Sequence, residues 1–176
     1  MTDGSTPGYH LRPERPDDTE AVRAVVLAAF PGPDEADLVD ALRADPAWID
    51  GLSWVAVADE GPDAGTVVAH ALCTRCHVDG AASLALAPVS VLPEFQHRGL
   101  GAAVTRAVLD AARAQGESSV IVLGHPEYYP RFGFTRASTH GVRVSFEVPD
   151  ESLMAMALND APVPAGTVRY AEPFGV

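Results

Sequence analysis

Gln96-His97-Arg98-Gly99-Leu100-Gly101 lies between two patterned stretches, and its reading decides the fold. Before it, Leu84 to Leu92 is an apolar run of strand length closed by Pro93. After it, Leu100, Ala103, Val104, Ala107, Val108 and Ala111 recur at the spacing of one helix face. A strand therefore feeds a short loop, and the loop opens a helix through two glycines. The first N–H groups of a helix have no partners inside it, and the macrodipole makes that end positive. Gly99 and Gly101 carry no Cβ, so a bulky anion can approach the main chain there. The stretch is a candidate seat for a phosphate or pyrophosphate.

Two familiar phosphate loops are excluded. The dinucleotide fingerprint needs a third glycine three residues after the second, and that position is Val104. The Walker loop needs a lysine, and all twelve basic residues of this chain are arginine. The same lack removes Schiff-base chemistry and any lysine general base. Taken alone, the glycines fit a tight strand-to-helix turn as well as they fit an anion seat.

The surrounding residues favour the seat. Val91-x-Pro93-x-x-Gln96-x-x-Gly99-x-Gly101, followed by Tyr129-x-x-x-Gly133-Phe134, resembles the GNAT superfamily of N-acetyltransferases. Gln96 to Gly101 fits that family's acetyl-CoA signature, Q/R-x-x-G-x-G/A, at every specified position. The segment Val122 to Phe134, with Tyr128-Tyr129-Pro130-Arg131-Phe132-Gly133-Phe134 at its end, looks like one bacterial branch, the YhbS-like proteins. Val148 to Glu151 and Gly166 to Tyr170 resemble closing elements of that branch, so the likeness runs from about Tyr9 to Phe174.

Length and composition agree with an α/β domain spanning 9–176, preceded by a short flexible tail at 1–8 that has no basic or apolar signal-peptide regions. A hydrophobic content of 47% suits a folded core. No apolar run reaches the length of a membrane helix, and a cytoplasmic location is the default expectation. A net charge of −12 argues against a nucleic-acid partner and would draw in a cationic amine, although acidity also serves plain solubility.

Cys73-x-x-Cys76-His77 spells the c-type haem attachment motif, and His70 nearby could extend it to a zinc site. Thr66 to Val78 reads as a strand, however, where residues three apart face opposite ways. That geometry opposes a haem, a shared metal and a mutual disulfide alike, so no metal is expected.

The pattern predicts strands at Tyr9–Pro13, Ser53–Ala58, Thr66–Val78, Leu84–Leu92, Ser119–Leu123, Val142–Val148 and Thr167–Tyr170. It predicts helices at Pro16–Phe30, Glu35–Arg43, Gly99–Ala114 and Glu127–Phe132, with a further one at Asp150–Leu158. Pro88 inside its strand marks a bulge or a parting of neighbouring strands. This order agrees with what the resemblance implies, a GNAT fold with a mixed sheet of six to seven strands flanked by helices.

The resemblance also implies roles. Val89, Ser90 and Val91 would run beside the pantetheine arm of acetyl-CoA, the Val91 amide holding the acetyl carbonyl. Gln96 opens the cofactor-binding signature, His97, Arg98, Gly99, Leu100, Gly101 and Ala102 would cradle the pyrophosphate with main-chain N–H groups, and Tyr129 would protonate the leaving thiolate, with Tyr128 as its rival. The family's strand glutamate is replaced here by Ala85 and its asparagine before the tyrosine by His125. A general base is therefore not evident; His70, His77, His125 and Glu127 are the candidates. The implied activity is acetyl transfer to a primary amine of a small molecule or peptide; homodimers are common in the family, and this sequence leaves the oligomeric state open. The alternatives are a non-catalytic acyl-CoA-sensing module and a transferase of longer acyl groups or of O- or S-acceptors.

Overall fold

The computed structural model describes residues 8–176. The expected tail thus lies, except for Gly8, outside the described residues. β1 (Tyr9–Pro13), α1 (Thr19–Ala29) and α2 (Asp34–Arg43) come first, then β2 (Ser53–Ala58), β3 (Val67–Val78) and β4 (Ala81–Val91). α3 (Leu100–Ala114) and β5 (Ser119–Leu123) follow. The chain closes with β6 (Thr135–Arg136), β7 (Val142–Arg143), β8 (Leu153–Ala157) and β9 (Gly166–Arg169). These nine strands among the described residues form one mixed sheet in the order β1-β2-β3-β4-β5-β8-β6, with β9 paired to both β3 and β7.

Two expectations are corrected. Asp150–Leu158 is not a helix: a 3-10 turn at Asp150–Ser152 leads into β8, which pairs antiparallel with β5 along its whole length. Leu153-Met154-Ala155-Met156-Ala157 is rich in good helix formers, but the free edge of β5 and burial on both faces override that propensity. Val142–Val148 is a strand only at Val142–Arg143, because its partner β9 offers just Gly166 and Thr167 for pairing. The first helix also begins later than expected, after a 3-10 turn at Pro16–Asp18.

The sheet carries helices on both faces. α3 buries Leu100, Val104, Val108, Leu109 and Ala112 against Ala71, Cys73, Leu84, Val120 and Met154. α1 and α2 bury Val22, Val25, Val26, Val39 and Leu42 against Val55, Val57, Val67 and Leu72. Each such aliphatic side chain contributes roughly 1.5–3 kcal/mol when fully buried, so these two layers hold the helices to the sheet. Cys73 packs in the α3 layer and Cys76 on the other face, both as free thiols, so they cannot meet. Burial pushes the Cys76 thiol up to about 12 and raises Cys73 as well, which keeps both protonated and poor metal ligands.

One feature of the sheet opens a site. β4 and β5 pair in parallel only at Leu84–Val120 and Ala85–Ile121, and then they separate. On the other side of β4, Cys73 faces Leu86 and Ala71 faces Val89, so Ala87 and Pro88 together oppose Leu72. This bulge sits where Pro88 lacks the N–H a ladder would need. Past it, β4 bends away from β5, as Pro88 foretold.

Candidate active site

The parted strands and the mouth of α3 enclose a cleft of about 780 Å3. Val89, Ser90 and Val91 line it from β4, and Gln96, His97, Gly99, Leu100, Gly101 and Ala102 line it from the loop and first turn of α3. Tyr128, Tyr129, His125 and Arg131 form the wall after β5. Ala29 and Phe30, at the end of α1, complete it; nothing in their local sequence marked them, since a packing neighbour distant in the chain is what brings them here.

The main chain of β4 is aimed at this cleft. Leu92 N–H donates to Val68 O at 2.9 Å, which makes Val91–Ala69 a non-hydrogen-bonded pair of the antiparallel ladder. The N–H and C=O of Val91 therefore point away from β3, into the gap that β5 leaves, and Val89, two residues earlier, shares that orientation. Gln96 lines the cleft as well. Its Nε2 donates to Val91 O at 3.3 Å and ties the loop to the strand.

At the mouth of α3 the first intrahelical bond runs from Ala103 N–H to Gly99 O at 3.0 Å. The amides of Leu100, Gly101 and Ala102 precede it and have no partner one turn back. His97 (φ 65°) and Gly99 (φ 80°) are both left-handed and turn the chain into α3. Gly101 lies close to its neighbours. A Cβ there would stand 3.2 Å from Tyr128 Oη and 3.4 Å from Val91 Cγ2. The Arg98 guanidinium donates to Tyr9 Oη at 3.1 Å, lies over the Phe95 ring and lines a neighbouring recess.

Tyr129 begins a 3-10 turn, Tyr129–Phe132, that Gly133 ends at φ 106°. Its ring meets those of Tyr128, Phe132 and Phe134 at centroid distances of 5.1, 6.1 and 5.9 Å. Gly124 makes room for it, because a Cβ at that position would lie 2.4 Å from Tyr129 Cε2. Burial pushes the Tyr129 phenol up to about 12, so it is a proton donor across the neutral range. Tyr128 is raised by burial too, against the pull of Arg131 and Arg106.

Of the four base candidates, His125 alone lines the cleft. His77 and Glu127 are exposed elsewhere, and His70 is fully buried with Nε2 2.8 Å from Ser53 Oγ. Burial first, then the nearby charge of Arg43, lowers the His70 pKa from 6.5 to about 3. A group so depressed stabilises the fold fully above pH 6.5, and that stabilisation drains away as pH falls toward 3. Urea unfolding should thus show stability dropping between pH 6.5 and 5, with a slope approaching about 1.4 kcal/mol per pH unit. Equal midpoints at pH 7 and pH 5 would contradict a neutral buried imidazole.

No group of three or more His, Cys, Asp or Glu side chains suited to a metal occurs among the described residues. No helix among them is long and apolar enough to cross a membrane.

Both the architecture and the cleft define an acyltransferase of the GNAT type, and comparison with known proteins bears this out. The family model "Acetyltransferase (GNAT) family" matches residues 19–134, and the chain belongs to that family. It is 34% identical over 165 residues to the uncharacterized N-acetyltransferase YjhQ of Escherichia coli (strain K12), covering 89% of this chain and 88% of the relative. It is 30% identical over 168 residues to the uncharacterized N-acetyltransferase YhbS of the same strain, covering 93% and 97%. The crystal structure of E. coli YhbS in complex with CoA superposes with a TM-score of 0.86 at 27% identity, over 100% of this chain and 96% of that one. A GNAT family acetyltransferase from Brucella melitensis in complex with acetyl-CoA gives 0.77 at 32% identity, over 94% and 97%.

Proposed function

We propose that this acetyltransferase takes acetyl-CoA as its donor and moves the acetyl group directly to a primary amine of a small molecule or peptide in the cytoplasm. The observation that carries the reading is one cleft bounded by three things at once: unpaired helix-mouth amides, the free main-chain edge of β4, and Tyr129. The solved YhbS and Brucella proteins, which hold CoA and acetyl-CoA, support the donor.

The residues present suit that donor. Amides of Leu100, Gly101 and Ala102 would hold the diphosphate, helped by the positive end of α3. The outward N–H and C=O groups of Val89 and the outward C=O of Val91 would bond the amides of the pantetheine arm. Val91 N–H would stabilise the oxyanion of the tetrahedral intermediate, a contact commonly worth a few kcal/mol. Tyr129 would give its proton to the departing sulfur. Ala29, Phe30, Ser90 and His125 also line the cleft and would be left for the acceptor. No carboxylate lines the cleft among the described residues, although the chain carries a net charge of −12. This lining favours an amine on an apolar or uncharged body over a polycation.

Steady thiol release from acetyl-CoA tests the reading with a panel of benzylamine, an amino-acid amide, a short peptide with a free N-terminus, and spermidine. Turnover of the apolar or uncharged amines at about ten times the kcat/KM of spermidine is expected. Tight CoA binding without turnover of any amine would instead favour an acyl-CoA-sensing module, an alternative to which the lack of a carboxylate base in the cleft also points.

A further inference from the structure

A smaller recess of about 190 Å3 meets the cleft at Arg131, which lines both. Arg106, Asp110 and Arg113 line it from α3, and Phe132 from the turn after β5. Three guanidiniums thus surround it with one carboxylate, in a chain of net charge −12. That carboxylate is already engaged, since Asp110 Oδ1 accepts from Arg113 Nη1 at 3.0 Å. Arg106 and Arg131 have no carboxylate within ion-pair reach among the described residues. Both are nevertheless held in place. Arg131 Nε donates to Tyr128 O at 2.8 Å, and its guanidinium lies over the Tyr128 ring, 4.2 Å from the centroid. The Arg106 guanidinium lies over the Phe132 ring at 5.1 Å. An aromatic face fixes a guanidinium without neutralising it, and the two Nη groups of Arg131 are left as a planar fork of donors.

Both charges stand close to the mouth of α3. Arg106 follows Ala102 by four residues, so it shares that helix face about 6 Å further along the axis. A helical side chain leans back toward the N-terminus, which brings its guanidinium nearer the mouth. The charges of Arg106 and Arg131 both act on the Tyr128 phenol, whose Oη lies 3.2 Å from where a Gly101 Cβ would be.

We propose that Arg106 and Arg131 bind the 3′-phosphate of CoA and thereby make this chain select CoA over dephospho-CoA. The inference rests on the donor reading above, which puts the diphosphate at the α3 mouth. The 3′-phosphate is carried on the ribose that joins this diphosphate, so it comes to rest one sugar away from the mouth amides. A phosphate monoester carries close to two negative charges at neutral pH, and an arginine fork bonds two of its oxygens at once. Arg113 is given no contact, because Asp110 engages it.

Titration calorimetry of the full chain with CoA and with dephospho-CoA, which differ in that phosphate alone, tests the contact. The parent is expected to bind CoA about tenfold tighter than dephospho-CoA at low ionic strength, and the ratio should shrink as salt is added. Arg106→Gln and Arg131→Gln should each cut the ratio about threefold, and the double variant should bring it to about one. Arg131→Lys keeps the charge but loses the fork, so its ratio should fall between those of Arg131→Gln and the parent. Reading the ratio cancels any loss common to both ligands, such as a displaced Tyr128 ring. A parent that binds both ligands equally well, or a double variant that keeps the parental ratio, overturns the phosphate contact and leaves the donor reading standing. A parent that binds neither ligand overturns the donor reading and the phosphate contact together.

Discussion

Gly99→Val should weaken CoA binding by at least about a hundredfold, measured by titration calorimetry, while the chain still folds. Two effects compete to explain such a loss. Crowding inside the protein is ruled out, because a Cβ on Gly99 meets nothing within 4 Å. The backbone decides instead: φ is +80°, a region that costs a β-branched residue about 1–3 kcal/mol. The loop would relieve that strain by turning Gly99 out of its left-handed state, and the unpartnered amides of the α3 mouth would be displaced. Each charge-assisted bond to an anion is worth about 1.5–3 kcal/mol, so losing two of them gives the hundredfold loss or more. Gly99→Asn separates strain from bulk, since asparagine tolerates the left-handed region and should retain much more affinity. Gly101 is a different case: its Cβ contacts of 3.2 and 3.4 Å call for a small shift of Tyr128, so Gly101→Ala should cost only severalfold. Parental affinity in Gly99→Val would remove the helix mouth from the binding site.

What could be read in the chain follows from how local the cause is. The loop and α3 were legible because every signal lies within the segment: apolar period, glycines, and a proline stop before them. Pro88 was legible for a related reason, since a missing N–H disturbs a ladder whatever its partner strand. β8 was not, because Leu153 to Ala157 prefers a helix until the edge of β5 is beside it. Its misreading also hid β6, whose two residues pair only with β8. In the site, the positions carried from the family motif line the cleft together, except for Arg98, which Tyr9 and Phe95 engage instead. The place of Ala29 and Phe30 in the cleft, and the tie of His70 to Ser53, depend on contacts across strands and helices that no spacing rule encodes. The α3 mouth offers the cleft main chain and glycine, which a motif records. Ala29 and Phe30 reach the same cleft from a distant segment, and no motif records them.

Tyr129→Phe should lower kcat by about a hundredfold and leave the KM for acetyl-CoA within about twofold, as expected when a general acid is removed and its ring kept. The ring holds its place through Tyr128, Phe132 and Phe134, so deleting the hydroxyl creates no new packing defect. The pH profile adds an independent check. With its pKa near 12, the phenol stays protonated through pH 9, and it contributes no basic limb to kcat below about pH 11. Tyr128→Phe should behave differently, because Tyr128 Oη sits at the α3 mouth, 3.2 Å from where a Gly101 Cβ would be. Its loss should appear in donor KM more than in kcat. Gly124→Ala offers a second route to the same conclusion without touching the phenol: the new methyl would press on Tyr129 Cε2 and Cδ2, at 2.4 and 3.1 Å, and the aromatic neighbours leave the ring no easy retreat. A displaced donor should reproduce most of the kcat loss of Tyr129→Phe. If Tyr129→Phe keeps full kcat while Tyr128→Phe loses it, the proton comes from Tyr128, and the helix mouth and the acid then share one side chain.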